Sequence, residues 1–459
     1  MFMAGLFEIP GGRTHLAILD PGAGSGILSA ALIERLKAYP HIQNIDLVCY
    51  ETDLNVLPLL KDNLEWICSH TPICVHYKIV PDNYILDQAW DYNEVFGAAP
   101  QPQKYEMVIG NPPYMKISKD APEARAMPDV CYGAPNLYFL FAAMSLFNLR
   151  EQGELVYISP RSWTSGAYFK KFRQKFLSVG ALEHLHLFVS RDNVFDGEDI
   201  LQEIMIVKVR KTKNPPQNVY VTTSRDSRNF SALVPLEVPY YTVVSGDNSY
   251  VYLVTDHEEI AVLERLNGWT DTLPSLGLKM KTGLTVDFRN QEILRSEAEA
   301  RAVPLFYAQH IQNGYVVFPT GKGQEYILVD RPSLLQSNAN YLFVKRFTSK
   351  EELRRLQCGI YLARQHPEYD KISTQNKINF ICGPQGLSEC VIYGLYVLFN
   401  STLYDRYYRI LNGSTQVNST EVNSMPVPPM RLIEDMGRKL MSAEDMSVWA
   451  CDRILRSYV

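Results

Sequence analysis

The 459-residue sequence has no apolar run near ~18 residues, so no membrane-spanning helix is expected. Residues Met1 to Arg13 lack the charged-then-apolar layout of a signal peptide. The eight cysteines include no Cys-x-x-Cys pair, which suits a reduced, cytoplasmic protein. There is no excess of positive charge: 45 Lys and Arg face 50 Asp and Glu, for a net charge of −5. This excludes a uniformly cationic coat for nucleic acid and leaves room for a local basic cleft. No internal repeat or low-complexity tract is present. Cys68, His70, Cys74 and His76 offer zinc-type donors, but their spacing reads as the start of a strand, and no metal site is expected.

What is present is an ordinary globular composition, 46% hydrophobic and 21% charged, at a length suited to two or three domains. The charge is unevenly spread. Residues 1–149 carry 9 basic and 16 acidic side chains, whereas residues 150–235 carry 13 and 9. An acidic front is followed by a basic segment.

The first half alternates short apolar runs with helical patterns. Strands are expected at 16–20, 45–50, 75–80, 105–110, 153–159, 182–189 and 202–209. Helices are expected at 27–39, 55–68, 136–149 and 168–177. Such alternation implies βαβ units and a parallel sheet, and hence an α/β fold. The second half mixes strand-like pieces (250–254, 315–318, 326–329, 341–347) with helical ones (258–266, 391–400, 433–442). We expect a catalytic domain over 1–230 and a mixed α+β domain over 231–459.

Ligands bind at the carboxyl ends of strands in open α/β sheets. The first expected strand ends in Asp20, and the turn Asp20-Pro21-Gly22-Ala23-Gly24-Ser25-Gly26 follows. Glycines allow a ligand to approach the backbone at a helix N-terminus, a feature that dinucleotide sites share. An acid ahead of the glycines repels phosphate and suits a cation. S-adenosylmethionine carries an ammonium, a sulfonium and no phosphate. Glu51, ending the second strand, is placed to accept from two ribose hydroxyls. Asp82, with Asn83 beside it, follows the third strand and is placed near an adenine amino group.

The fourth strand runs into Asn111-Pro112-Pro113-Tyr114. Asn111 offers a side-chain carbonyl and Pro112 a main-chain carbonyl. Two acceptors converging on one NH₂ group hold both its hydrogens and turn the nitrogen lone pair toward a methyl donor. Tyr114 supplies a flat face on which a base can stack.

These two motifs resemble those of the amino-methyltransferases of DNA in the γ order, and the chain is similar to TaqI-like N6-adenine methyltransferases of restriction–modification systems. The resemblance extends to Tyr157–Trp163 with Gly166, Tyr168, Phe169, Phe172 and Arg173, and to Asn193-Val194-Phe195 before Gln202–Val209. It is looser at Gly413–Thr420 before Met425–Pro428. It implies a Rossmann-like S-adenosylmethionine-dependent methyltransferase domain followed by a DNA target-recognition domain. Asp20, Pro21, Gly22, Gly24, Glu51, Asp82 and Asn83 would bind S-adenosylmethionine. Asn111 and Pro112 would hold the target amine, Pro113 would complete the catalytic motif, and Tyr114 and Phe195 would contact a flipped base; Phe195 also reads as a core aromatic. In one respect the chain departs from the family. A helical segment with a Thr-Pro motif normally precedes the first strand, and Met1–Phe7 resembles only its tail, which implies a shortened front end.

A base inside a duplex cannot reach a cofactor at strand ends, so it must leave the stack. Candidate DNA contacts are Arg161, Lys170, Lys171, Arg173 and Lys175 in the basic segment. Further candidates are Lys345, Arg346, Lys350, Arg354 and Arg355 in the second half, with Thr415, Gln416 and Asn418 for base edges. Each basic residue equally suits a solvated face. The resemblance implies double-stranded DNA as partner and a cognate restriction endonuclease in the same system. Two alternatives stay open: methylation of an RNA base or a protein glutamine amide, and a catalytically impaired DNA-binding specificity component.

Overall fold

The computed structural model describes residues 1–94, 104–188, 204–224, 230, 233–321, 323–329, 331–349, 352–412 and 416–459. The chain forms two compact units, Met1–Asp256 and His257–Val459.

The first unit is built on a nine-stranded sheet. Its strands are β1 (His15–Asp20), β2 (Asn44–Tyr50), β3 (Cys74–Val80), β4 (Tyr105–Gly110), β5 (Leu149–Pro160), β6 (Gly180–Phe188), β7 (Ile204–Lys211), β8 (Asn218–Ser224) and β9 (Leu236–Pro239). Their order is β3-β2-β1-β4-β5-β7-β6-β8-β9. Strands β1 to β5 run parallel, and β7 is antiparallel to β5 and β6. This is an α/β fold with a mostly parallel sheet. The order reverses between β1 and β4, the switch point at which such sheets bind ligands.

The helices follow from the sequence pattern. Helix α1 (Phe2–Gly5) precedes β1, and α2 (Ile27–Leu36) and α3 (Leu57–Ser69) cover the sheet with Leu32, Ile33, Leu60 and Leu64 buried. Helix α4 (Tyr84–Tyr92) was not anticipated, because its apolar face is made largely of Tyr84 and Ile85. After the short α5 (Pro122–Ala126), helix α6 (Leu137–Asn148) is apolar on nearly every side. Such a helix must be covered all round, and α6 packs against α4, β5 and α7 (Lys170–Val179).

The first unit extends past the expected boundary at 230. The reason is that β9 adds to the sheet edge beside β8, and residues 248–250 close over α7.

The second unit has a six-stranded sheet in the order Lys279–Thr282, Ile378–Cys382, Tyr341–Lys345, Cys358–Tyr361, Tyr315–Val316 and Ile311–Gln312. A five-stranded sheet stands beside it, with Val303–Phe306 and Lys371–Thr374 paired at its centre. Phe306, Tyr341, Phe343, Tyr361 and Phe380 form its aromatic core. Several of its strands are two residues long, shorter than the runs expected at 315–318 and 326–329. Helices Glu389–Asn400 and Met430–Ala443 cross at glycines: a Cβ on Gly394 would lie 1.8 Å from Ile433 O, and one on Gly437 1.8 Å from Cys390 O. No helix among the described residues is long and apolar enough to cross a membrane.

Candidate active site

Strands β1 and β4 lie side by side and in parallel, so their carboxyl ends deliver both motifs to one place. Glu106 on β4 stitches them together, accepting from Ala17 N at 2.7 Å and from Arg13 Nη1 at 2.8 Å. A Cβ on Gly22 would stand 3.7 Å from Asn111 O and 4.0 Å from Pro112 Cα. The glycine turn and the Asn-Pro-Pro-Tyr loop are therefore in near contact. Pro21 packs on Gly110, which in turn sits against the ring of Tyr157.

Asp20 is the last residue of β1 and is fully buried. Its Oδ2 accepts from Ser29 Oγ at 2.8 Å. Its Oδ1 is buried with no hydrogen-bond partner among the described residues. Burial pushes its carboxyl up to about 7, against hydrogen bonding from the Ser29 hydroxyl and the Gly22 backbone and with a smaller upward contribution from Glu51. A buried carboxylate at a strand end suits a cationic ligand.

The turn is fixed by the strand ends around it. Gly26 has φ +82°, and a Cβ there would strike Leu60 Cδ1 at 2.8 Å, so glycine is required on both counts. Ala23 N donates to Tyr50 O at 2.9 Å. Glu51 accepts from Gly24 N through Oε2 and from Asp53 N through Oε1, each at 2.8 Å. Asp82 is exposed just beyond β3. Asn83 caps α4: its Oδ1 accepts from Ile85 N and Leu86 N at 3.1 and 3.2 Å, and its Nδ2 donates to Glu123 Oε1 at 2.8 Å. Its side chain is thus engaged as a helix cap rather than open to a ligand.

Asn111 and Pro113 are exposed beyond β4, while Pro112 is buried. Tyr114 folds back: its Oη donates to Asn111 Oδ1 at 2.8 Å, and its ring meets that of Tyr138 edge-on at 6.3 Å. Burial raises its phenol above the ordinary tyrosine value. Phe195 and Thr415 lie outside the described residues, as does Lys350.

The basic residues separate into two groups. Lys170 and Lys171 are exposed on α7, and Arg161 follows the end of β5, half-buried. Lys175 is paired with Asp129 at 3.2 Å. Arg173 requires a correction. It is completely buried, donates to Trp163 O at 3.0 Å, Gly166 O at 2.9 Å and Asn248 O at 3.1 Å, and lies over the Tyr250 ring at 4.8 Å. It also donates to Ser165 O. Its place on the inward face of an otherwise basic helix makes it a brace, not a phosphate ligand. Arg355 is likewise buried, bonding Thr348 Oγ1 at 3.2 Å and Asn412 Oδ1 at 3.4 Å. Arg354 donates to Ser401 O at 2.9 Å.

In the second unit, Arg346 and Gln416 come together, with Nη2 3.3 Å from Oε1, and Arg346 also donates to Asn376 O at 3.0 Å. Lys345 Nζ donates to Gln357 Oε1 at 2.9 Å. Asn418 donates to Glu421 Oε1 at 3.2 Å ahead of the helix Ser419–Ser424.

Of the four donors at 68–76, Cys68 bonds Val75 O and His70 bonds Trp66 O, while Cys74 lies beside His76. Glu8, Glu154 and Glu183 form a carboxylate cluster, but cations fill it. Lys208 Nζ lies 3.0 Å from Glu154 and 2.9 Å from Glu183, and Arg210 lies 2.8 Å from Glu8. The residue that sequence reasoning missed is Ser29, the hydroxyl that holds Asp20. A serine one turn into an apolar helix carries no distinguishing signal of its own.

The Eco57I restriction-modification methylase family matches residues 42–195. Type II methyltransferase M.PstI of Providencia stuartii is 32% identical over 451 residues, covering 95% of this chain and 87% of that protein. The chain belongs to the type II restriction–modification methylases. Type II methyltransferase M.BsuBI of Bacillus subtilis is 32% identical to this methylase over 445 residues, again with 95% and 87% covered. The fold of this methylase is similar to that of the type IIL restriction-modification enzyme MmeI in complex with DNA, at a TM-score of 0.55 and 12% identity, covering 96% of this chain and 70% of that one. Methylases of this class carry the modification activity of restriction–modification systems, with S-adenosylmethionine as methyl donor.

The residues present fit that donor. The buried Oδ1 of Asp20 suits its positive charge, and the glycine turn lies within van der Waals reach of the Asn111-Pro112 backbone.

Proposed function

We propose that this methylase transfers a methyl group to the N6 amino group of an adenine flipped out of duplex DNA. The observation that carries this reading is the near contact of Gly22 with the Asn111-Pro112 backbone, which sets an amine-holding loop directly against the donor turn. S-adenosylmethionine supplies an electrophilic methyl group on a sulfonium sulfur. Asp20 would receive its cationic end, Glu51 its ribose hydroxyls and Asp82 its adenine.

Asn111 Oδ1 and Pro112 O would each accept one hydrogen of the target NH₂. An exocyclic aromatic amine is a weak nucleophile because its lone pair is shared with the ring. Holding both hydrogens favours a pyramidal nitrogen, and the same oxygens stabilise the positive charge that develops there. The excess proton then leaves along one of these hydrogen bonds toward solvent. Tyr114 would stack on the flipped base once its hydroxyl leaves Asn111. Lys170 and Lys171 would contact backbone phosphates.

The test is methylation of duplex DNA with labelled cofactor, followed by analysis of the nucleosides. N6-methyladenine supports the reading. Label in 4-methylcytosine, or transfer only to RNA or a protein amide, would overturn it.

A further inference from the structure

The second unit contains an open cavity of about 460 Å³ that the methyl-transfer chemistry does not use. Phe288 and Tyr307 give it flat apolar surfaces, with Phe288 67% exposed, and Gln309 and Lys377 give it polar ones. Gln375 also lines it and is only 1% exposed.

Gln375 is held firmly. Its backbone N donates to Phe306 O at 2.9 Å, and its carbonyl accepts from Ile378 N at 3.0 Å. A Cβ on Gly283 would lie 2.1 Å from that carbonyl oxygen, so the neighbouring segment presses directly on it. Its side-chain Oε1 accepts from Lys377 N at 3.1 Å. Its Nε2 is buried with no hydrogen-bond partner among the described residues. A buried amide donor without an acceptor is a rare and costly arrangement that calls for an explanation.

We propose that Gln375 is a base-reading residue, whose Nε2 donates to an acceptor on a base edge in the major groove of the substrate duplex. The proposal rests on DNA being the substrate. With Oε1 already engaged, the side chain offers a donor and no acceptor. In the major groove guanine presents N7 and O6, adenine N7 and thymine O4, while cytosine presents only an amino donor. The base read by Gln375 is therefore guanine, adenine or thymine and never cytosine. The exposed ring of Phe288 on the same cavity suits a base edge or a thymine methyl. In the DNA-free chain the amide is closed over, so reading requires the cavity lining over Nε2 to part while Oε1 keeps its bond from Lys377 N. Side-chain rotamer changes of that kind are common at interfaces.

The experiment maps the methylated sequences produced by the full chain and selects bound duplexes from a random library, with folding checked by thermal melting. Wild type should exclude cytosine at one position. Gln375→Met, similar in shape but without the donor, should admit cytosine there. Gln375→Glu, which turns the donor into an acceptor, should prefer cytosine there. Phe288→Ala, at an exposed position that cannot disturb the core, should weaken duplex binding about tenfold or more. Folded Gln375 variants with an unchanged consensus would overturn the proposal. Should those variants fail to fold, full binding by Phe288→Ala would overturn it. A wild-type protein that modifies no DNA would instead overturn the substrate reading, and this proposal with it.

Discussion

The hydroxyl of Tyr114 donates to Asn111 Oδ1 at 2.8 Å, so the acceptor proposed for the target amine is already engaged by the ring proposed to stack on the base. A base entering the site must displace this bond. Tyr114→Phe removes the competing donor and keeps the aromatic face, so methylation should persist within a few-fold with an equal or lower KM. Tyr114→Ala removes the face as well and should weaken substrate binding by about 1–3 kcal/mol. Steady-state kinetics on a duplex substrate separates the two variants. Equal losses in both would show that stacking is not the role of the ring.

Asn111→Ala removes one of the two acceptors and leaves the donor turn intact. Cofactor binding by calorimetry should be unchanged, while kcat falls by about 10²–10³, the usual cost of losing one preorganised hydrogen bond to developing charge. Near-normal turnover would contradict the amine-holding role.

Asp20 gives a pH signature. Burial lifts its carboxyl to about 7, so in the free protein it is ionised above that pH and neutral below it. A cationic ligand favours the ionised form. Affinity for S-adenosylmethionine should therefore be highest above pH 7 and fall as the pH drops through 7 toward 5. Calorimetric titrations across that range read it directly. Asp20→Asn should bind more weakly and lose the pH dependence over this interval.

Arg173 and Lys170 lie on the same helix and should respond oppositely. Arg173→Ala leaves several buried carbonyls without a donor and should destabilise the fold by more than about 3 kcal/mol, seen in denaturant melts. Lys170→Ala and Lys171→Ala should leave the melt unchanged, weaken duplex binding and reduce its salt dependence, by about one counterion each.

The helix pair Glu389–Asn400 and Met430–Ala443 should tolerate no side chain at its crossing. Gly394→Ala or Gly437→Ala places a methyl 1.8 Å from a backbone oxygen, and separating the helices should cost about 3 kcal/mol or more in thermal unfolding.

The central strands of the first unit were legible because each is a short apolar run ending in a polar residue or a turn. The glycine turn and the Asn-Pro-Pro-Tyr loop were legible as turns at strand ends, and the parallel neighbours β1 and β4 bring them to the same end of the sheet. Other features were not. Helix Thr402–Leu411 buries Tyr404, Tyr407 and Tyr408 with Asp405 among them, and its buried aliphatic residues Ile410 and Leu411 come only at its end. Strand β9 is a four-residue edge strand with a single buried residue, Val238, too short to register, so the boundary at 230 falls ahead of it. Arg173 reads as one more cation on a basic helix, and only burial distinguishes it from Lys170. Asn83 reads as a polar strand-end residue, yet the two backbone amides that it caps belong to a helix whose face is partly tyrosine.

The most direct test of the account is the fate of the transferred methyl. Duplex DNA is incubated with the full chain and methyl-labelled S-adenosylmethionine, digested to nucleosides and separated. Label is expected in N6-methyladenine, and is lost in Asn111→Ala while cofactor binding remains. Label in another base, or none in DNA while RNA or protein is labelled, would contradict it.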